Sequence, residues 1–488
     1  RSNPPMVSSF VAEIARRLQG HGQALALPLN WIEQRLAESS LTIEQMVLSE
    51  TQQQAADQVS ISNTIGSLRF LGAMDWKVFV ESMSHVEHVL LQDIDGVYGN
   101  MDFVTRDRYR HVIDRLAKRS ALSETQIARE AIQLAYWNAA NHDGNHHRSH
   151  VGFYLIDEGL PQLERAVAAK LPPVKLVRTW LGKYPLSIYL AVIFSITAIF
   201  SGGLLYQAYV NGIHGWKLIL LGVVTFLAGS QLASALTNWF ATLLVRPKLL
   251  PRMDYSRALP TEMGTIVVIP TLLTSANNIE ELLEALEVRF LGNQDKQLHF
   301  GLLTDLRDAS QETLAGDESL ILAAQLGIEN LNEKYRAVGN DRFFLFHRPR
   351  LWNASERIWM GYERKRGKLS DLNCALRGGI WSSFSLVVGN TSALTNIKYV
   401  ITLDTDTLLP RDSAREFVAT MAHPLNRARF DESKQRVCGG YSILQPRMAA
   451  NLSGANRSRY AQLFGSEPGI DPYTRSVSDV YQDVFDEG

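Results

Sequence analysis

Two stretches without a charged residue constrain this 488-residue chain more than any other feature. PLSIYLAVIFSITAIFSGGLLYQAYV runs from Pro185 to about Val210, and LILLGVVTFLAGSQLASALTNWFATLLV from Leu218 to Val245. Each is longer than the roughly 20 apolar residues that cross a bilayer as a helix. Both are internal and too long for a secretory signal; the competing reading is a pair of buried core helices. The flanks set the orientation. Lys170, Lys175, Arg178 and Lys183 precede the first stretch, Arg246, Lys248 and Arg252 follow the second, and the turn between, Asn211 to Lys217, holds one lysine. By the positive-inside rule both large flanking regions are expected in the cytoplasm and the turn outside.

The length calls for two or three folding units, with expected divisions at 1–170, 184–245 and 255–488. An apolar fraction of 46% and a charged fraction of 20% belong to an ordered protein. A net charge of −1 supplies no basic field, which excludes nucleic acid as an expected partner. Two well-separated cysteines, Cys374 and Cys438, fit a reducing compartment. A start at Arg1 and a last stretch, Tyr481 to Gly488, without a terminating pattern read as a piece of a longer polypeptide.

Residues 1–170 read as helices. Asp75 is expected to cap a helix whose apolar face carries Trp76, Phe79, Val80, Met83 and Leu90. Tyr109, Val112, Ile113 and Leu116 repeat that spacing, and Ser123 with Gln126 forms a capping-box pattern. His142, His146, His147 and His150 cluster around Asp143. Gly144 and neighbouring asparagines argue against a firm helix there, and no acidic or cysteine ligand set accompanies them, so a polar helix–helix connection is expected.

After the apolar stretches the pattern alternates between strands and helices. Strands are expected at Thr265–Pro270, Leu298–Asp305, Arg342–His347 and Lys398–Asp406, and helices at Asn277–Phe290, Glu318–Val338 and Lys368–Phe384. The order predicts an α/β, doubly wound, mostly parallel sheet, with ligands beyond the carboxyl ends of its strands. Asp305, Asp404 and Asp406 all fall there.

Asp404-Thr405-Asp406, leaving a buried strand, suits a hard divalent cation with bridging phosphates. A short acidic motif alone is weak, because aspartate is common in turns. The same segment also resembles the aspartyl nucleophile motif of haloacid-dehalogenase phosphatases, but that family opens its domain with the motif, whereas here the strands from Thr265 onward precede it. Asp305 could accept hydrogen bonds from a base or ribose. Arg364-Lys365-Arg366-Gly367-Lys368 opens a helix at its positive end and suits a diphosphate.

The order of strand, Asp305, basic segment and Asp-x-Asp resembles the GT-A nucleotide-sugar-binding half of processive synthases. WNASERIWMGYERKRGKLSDLNCALRGG, ITLDTDTLLPRDSAREFVATMAHPLNRA, GGYSILQPRM and PGIDPYTRSVSDVYQD resemble the cyclic β-1,2-glucan synthases, glycosyltransferase family 84, as do MDFVTRDRYRHVIDRLAKRS, HVGFYLIDEG and RPKLLPRMDYS. The resemblance implies an inverting membrane glycosyltransferase of the bacterial inner membrane. It would take UDP-glucose as donor and use Mg2+ or Mn2+ to extend an enzyme-linked β-1,2-glucan, alongside further domains of a longer synthase. It implies Asp404 and Asp406 for metal and diphosphate, Asp305 for uridine, and Lys368 and Arg366 for phosphate, with Gln445, Pro446 and Arg447 near the sugar or acceptor. The general base is expected in a His-Asp segment past Gly488, with Asp483 and Asp486 as in-chain candidates. A non-catalytic membrane scaffold stays open as an alternative.

Overall fold

The computed structural model describes residues 6–18, 26–141, 146–170, 184–244, 249–336 and 341–446. The chain divides into two compact units, Arg1–Ser84 and His85–Gly488, so the region expected as one helical domain is split at Ser84.

In the first unit, helices Ser8–Leu18 and Ala26–Ala37 close a small core around Val11, Ile32 and Leu36. Helix Ile43–Ala73 starts at a capping box in which Thr42 and Gln45 satisfy each other's backbone N–H. Asp75 caps Trp76–Met83 as expected, accepting from the N–H groups of Lys77 and Val78. That helix stops at Ser84, and Trp76, Phe79, Val80 and Met83 are exposed. The expected single apolar face therefore does not run on to Leu90, which is buried in the second unit on helix His85–Leu90.

The second unit opens with a helical core. Tyr109, Val112, Ile113 and Leu116 of helix Phe103–Ala117 pack on Ile127, Ala131, Tyr154 and, from far along the chain, Leu425. Ser123 and Gln126 form the expected capping box. The described side chains of the cluster, His147 and His150, are held by packing and polar contacts. His147 pairs with Asp157 at 2.9 Å. His150, fully buried, lies 3.2 Å from the Tyr109 hydroxyl and stacks edge-on against His423, ring centroids 5.3 Å apart. His142 lies outside the described residues.

Helices Pro185–Val210 and Trp216–Leu244 are long and apolar enough to cross a membrane. They pack on each other through small and polar groups. Ser201 Oγ donates to the carbonyl of Thr225 at 3.0 Å, and Tyr189 to Asn238 at 2.7 Å. Phe194, Ile199, Ile219 and Leu227 remain exposed.

The remainder is a five-stranded, mixed and mostly parallel sheet. Its strands are β1 (Gly264–Leu273), β2 (Leu298–Leu306), β3 (Phe343–His347), β6 (Leu386–Val388) and β7 (Ile397–Thr402), in the order β6-β3-β2-β1-β7. β1 pairs in parallel with β2 and β7, and β2 with β3; β6 is an antiparallel edge. A hairpin, β4 (Leu351–Asn353) with β5 (Ile358–Met360), and a second one, β8 (Arg429–Asp431) with β9 (Arg436–Gly439), lie outside the main sheet. Successive side chains alternate between faces. Val267, Ile269, Phe300, Leu302, Phe343 and Leu345 meet helices Ala276–Gly292 and Asp317–Lys334 on one face. Ile266, Val268, Leu303, Phe344 and Phe346 meet helix Arg364–Gly378 through Leu372 and Ala375 on the other. The chain steps outward from β1 to β3, then returns across the opposite face to place β7 on the far side of β1. This reversal opens a crevice at the strand ends.

Candidate nucleotide-sugar site

An open cleft of about 880 Å³ occupies that crevice. Its walls come from the end of β1 and the following turn (Pro270, Thr271, Thr274), the end of β2 (Asp305 to Asp308), the start of helix Arg364–Gly378 (Arg364, Lys365, Lys368), and Thr405 and Asp406 beyond β7. Helix Ala276–Gly292, capped by Ser275, contributes Asn278 and Glu281. Of the residues singled out from sequence, Asp305, Lys368 and Asp406 thus meet in one cavity.

Asp305 is buried, and its carboxylate holds the floor together. Arg348, one residue past β3, donates to Oδ1 at 2.9 Å and Oδ2 at 3.1 Å. The Lys368 ammonium stands 2.9 Å from Oδ2 and donates to the Thr271 carbonyl at 2.7 Å, which ties the ends of β1 and β2. Burial lowers the Lys368 pKa, with Asp305 opposing it. Burial also works against the Arg348 charge, but Asp305 and Asp371 hold its pKa above the usual value. Removing one member of such a buried cluster is costly, because the other charge is left uncompensated.

The entry to helix Arg364–Gly378 is strained. Glu363 and Arg364 have φ of 50° and 48°, in the left-handed region that side chains disfavour. Arg348 Nη2 captures this turn by donating to the carbonyls of Tyr362 at 3.1 Å and Arg364 at 3.2 Å. Gly361 lets the turn approach Asp305, since a Cβ there would sit 2.5 Å from Oδ2. The result aims Arg364, Lys365 and the helix N-terminus into the cleft, an arrangement that favours anions. Arg364 pairs with Asp308 at 2.7 Å, and Lys365 forms an ion pair with Asp404.

Asp404 and Asp406 are exposed. Asp406 lines the cleft, and Asp404 meets the cleft wall through Lys365. Their turn is held from beneath by Arg289, which sits on the buried face of its helix. Its guanidinium donates to the carbonyls of Thr405 at 2.9 Å and Thr407 at 2.7 Å. Asn293, one turn on, donates to Pro410 at 3.0 Å and accepts from Ala414 N–H at 3.1 Å. Among the described residues no three metal-ligating side chains converge. Two exposed carboxylates, one already facing an ammonium, still fit Mg2+ or Mn2+, which are held by one or two carboxylates with phosphate oxygens and waters.

Arg366 points away from the cleft: it is exposed and faces Glu363 at 3.6 Å. Gln445 is exposed outside the cleft, and Arg447, Asp483 and Asp486 lie outside the described residues. Arg289, Asn293 and Arg348 were not singled out from sequence. A basic residue at an apolar-face position, Arg289 after Leu282 and Leu286, and a cation just past a buried strand, Arg348, were the signals available. A second concavity of about 470 Å³ at the β8–β9 hairpin gathers none of the candidates.

No family model matches the chain. Over 99% of its length it is 34% identical to cyclic beta-(1,2)-glucan synthase NdvB of Rhizobium meliloti (strain 1021), and it spans 17% of that protein's length. The helical segment, the apolar helix pair and the cleft-bearing sheet all fall inside this match. Over nearly its whole length the chain is thus similar to one part of a cyclic glucan synthase.

Proposed function

We propose that this chain is the membrane-embedded glycosyltransferase segment of a β-1,2-glucan synthase, with a GT-A-type domain that takes glucose from UDP-glucose on the cytoplasmic face of the bacterial inner membrane. One observation carries the reading: a single cleft at the carboxyl ends of a parallel sheet gathers Arg364, Lys365, Asp406 and a helix N-terminus around a floor braced by Asp305 and Lys368. The similarity to a glucan synthase supports transfer over phosphoester hydrolysis.

In this reading the donor diphosphate lies against Arg364 and Lys365 at the positive end of the helix. Lys368, already committed to Asp305 and Thr271, positions the floor that receives the nucleotide. Asp404 and Asp406 hold Mg2+ or Mn2+, which when bound neutralises the charge that develops on the leaving diphosphate. Arg289 keeps the two carboxylates in place by fixing their backbone. Inversion from an α-linked donor to a β-linked product needs one general base beside the acceptor hydroxyl. We assign that base to the synthase beyond Gly488, with the acceptor, an enzyme-linked glucan, supplied from the same longer protein.

Incubating the detergent-purified chain with labelled UDP-glucose and manganese or magnesium tests the reading. UDP-glucose binding, with at most slow release of glucose from UDP, is the expected result, since the base and acceptor are assigned outside this chain. Absence of any UDP-glucose turnover or binding, or release of phosphate from simple phosphoesters, would overturn it.

A further inference from the structure

The β4–β5 hairpin follows β3 and has no part in the reaction as described. Trp352 and Trp359 oppose each other directly in its register, so both side chains leave the same face. Their ring centroids lie 5.8 Å apart with planes tilted by 58°. Large aromatic pairs ordinarily serve a core, yet Trp352 is 50% exposed, and its neighbour Leu351 and, just past the hairpin, Tyr362 are exposed too. The hairpin is fastened in place. Trp359 and Ala309 exchange backbone hydrogen bonds of 2.9 Å in both directions. That anchors the hairpin to the Arg307–Asp308 segment of the cleft wall, and Met360 leads straight into Gly361, Arg364 and Lys365.

We propose that Trp352 and Trp359 form a carbohydrate platform on which the growing glucan rests beside the cleft. The proposal rests on reading the cleft as the donor site. A β-linked glucopyranose carries C–H groups on its two faces and hydroxyls at its edge. Indole faces bury the former while leaving the latter wet, and a neutral chain offers no charge for a cation to grip. An acceptor must also lie next to the donor sugar, and the hairpin is continuous with the cleft wall. A nucleobase could stack on the same rings. However, neither tryptophan lines the cleft, whereas the base of a bound nucleotide has to stay within reach of the diphosphate.

The test titrates the full 488-residue chain in detergent with a linear β-1,2-linked gluco-oligosaccharide by calorimetry, and follows UDP with manganese by thermal shift in parallel. Trp352→Ala should weaken oligosaccharide binding by about tenfold, and Trp352→Phe should recover most of it. The UDP response should not change. Unaltered oligosaccharide affinity in Trp352→Ala, or no oligosaccharide binding by the parent chain, would overturn the platform. So would loss of the UDP response with oligosaccharide binding retained, which would make the rings a base stack. Trp352-dependent oligosaccharide binding in a chain indifferent to UDP would uphold the platform and remove the donor-site reading instead.

Discussion

Arg289 shows how much a single buried cation can organise. Its guanidinium serves two carbonyls of the Asp404–Thr407 turn at 2.9 Å or less, so Arg289→Met strands those acceptors and should cost about 2 kcal/mol of stability. A urea titration checks the loss. The same variant should need more manganese for half-maximal UDP binding, because the carboxylate turn is released; an unchanged manganese requirement would deny Arg289 its positioning role. His347 and His299 carry a pH signature. Burial lowers both pKa values from 6.5 to about 4. On acidification the unfolded chain therefore takes up these protons first. Their contribution is complete above pH 6.5 and is lost as pH falls toward 4, at up to about 1.4 kcal/mol per pH unit for each histidine. Urea midpoints at pH 7, 6 and 5 should fall accordingly, and His347→Gln should flatten the slope. An equal slope in that variant would exclude His347 as a source.

At the level of elements, the sequence was most legible where a segment is buried on both faces. β1, β2 and β3 are buried along almost their whole length and appear within a few residues of their expected bounds, as does the less buried β7. β6 was missed because three residues of antiparallel edge leave no period to detect, and the β4–β5 hairpin because each of its strands is equally short. The basic segment was legible as a helix start, but not which of its cations face the cleft. Positions 364, 365 and 368 share one side of a helix while 366 is turned away, a distinction that depends on where the helix begins. That start is fixed by the left-handed turn at Glu363 and Arg364, which no local propensity announces. Gly361→Ala tests the turn directly. A Cβ against Asp305 should cost about 1–3 kcal/mol as overpacking and lower the melting temperature. An unaffected melting temperature would mean that the close approach is not required.

For the whole molecule, two helices long and apolar enough to cross a membrane precede the sheet, and the proposed cytoplasmic position of the sheet follows from their basic flanks. Cys374 and Cys438 are both exposed. They should resist an impermeant thiol reagent in intact spheroplasts and react after lysis, whereas Asn211→Cys should react at once. The opposite pattern would remove the cleft from cytoplasmic nucleotide sugars. The central claim, that the cleft binds a nucleoside diphosphate through Arg364, Lys365 and a metal held by Asp404 and Asp406, is tested most directly by the UDP-dependent thermal shift of the purified chain with and without manganese. A ligand selective for the folded state at a hundred times its Kd stabilises it by about 2.7 kcal/mol. The parent chain should shift clearly upward with UDP and manganese together, and Asp404→Asn, Asp406→Asn and Lys365→Ala should each lose most of that shift while remaining folded. No shift in the parent chain, or an equal shift in all three variants, would contradict the account.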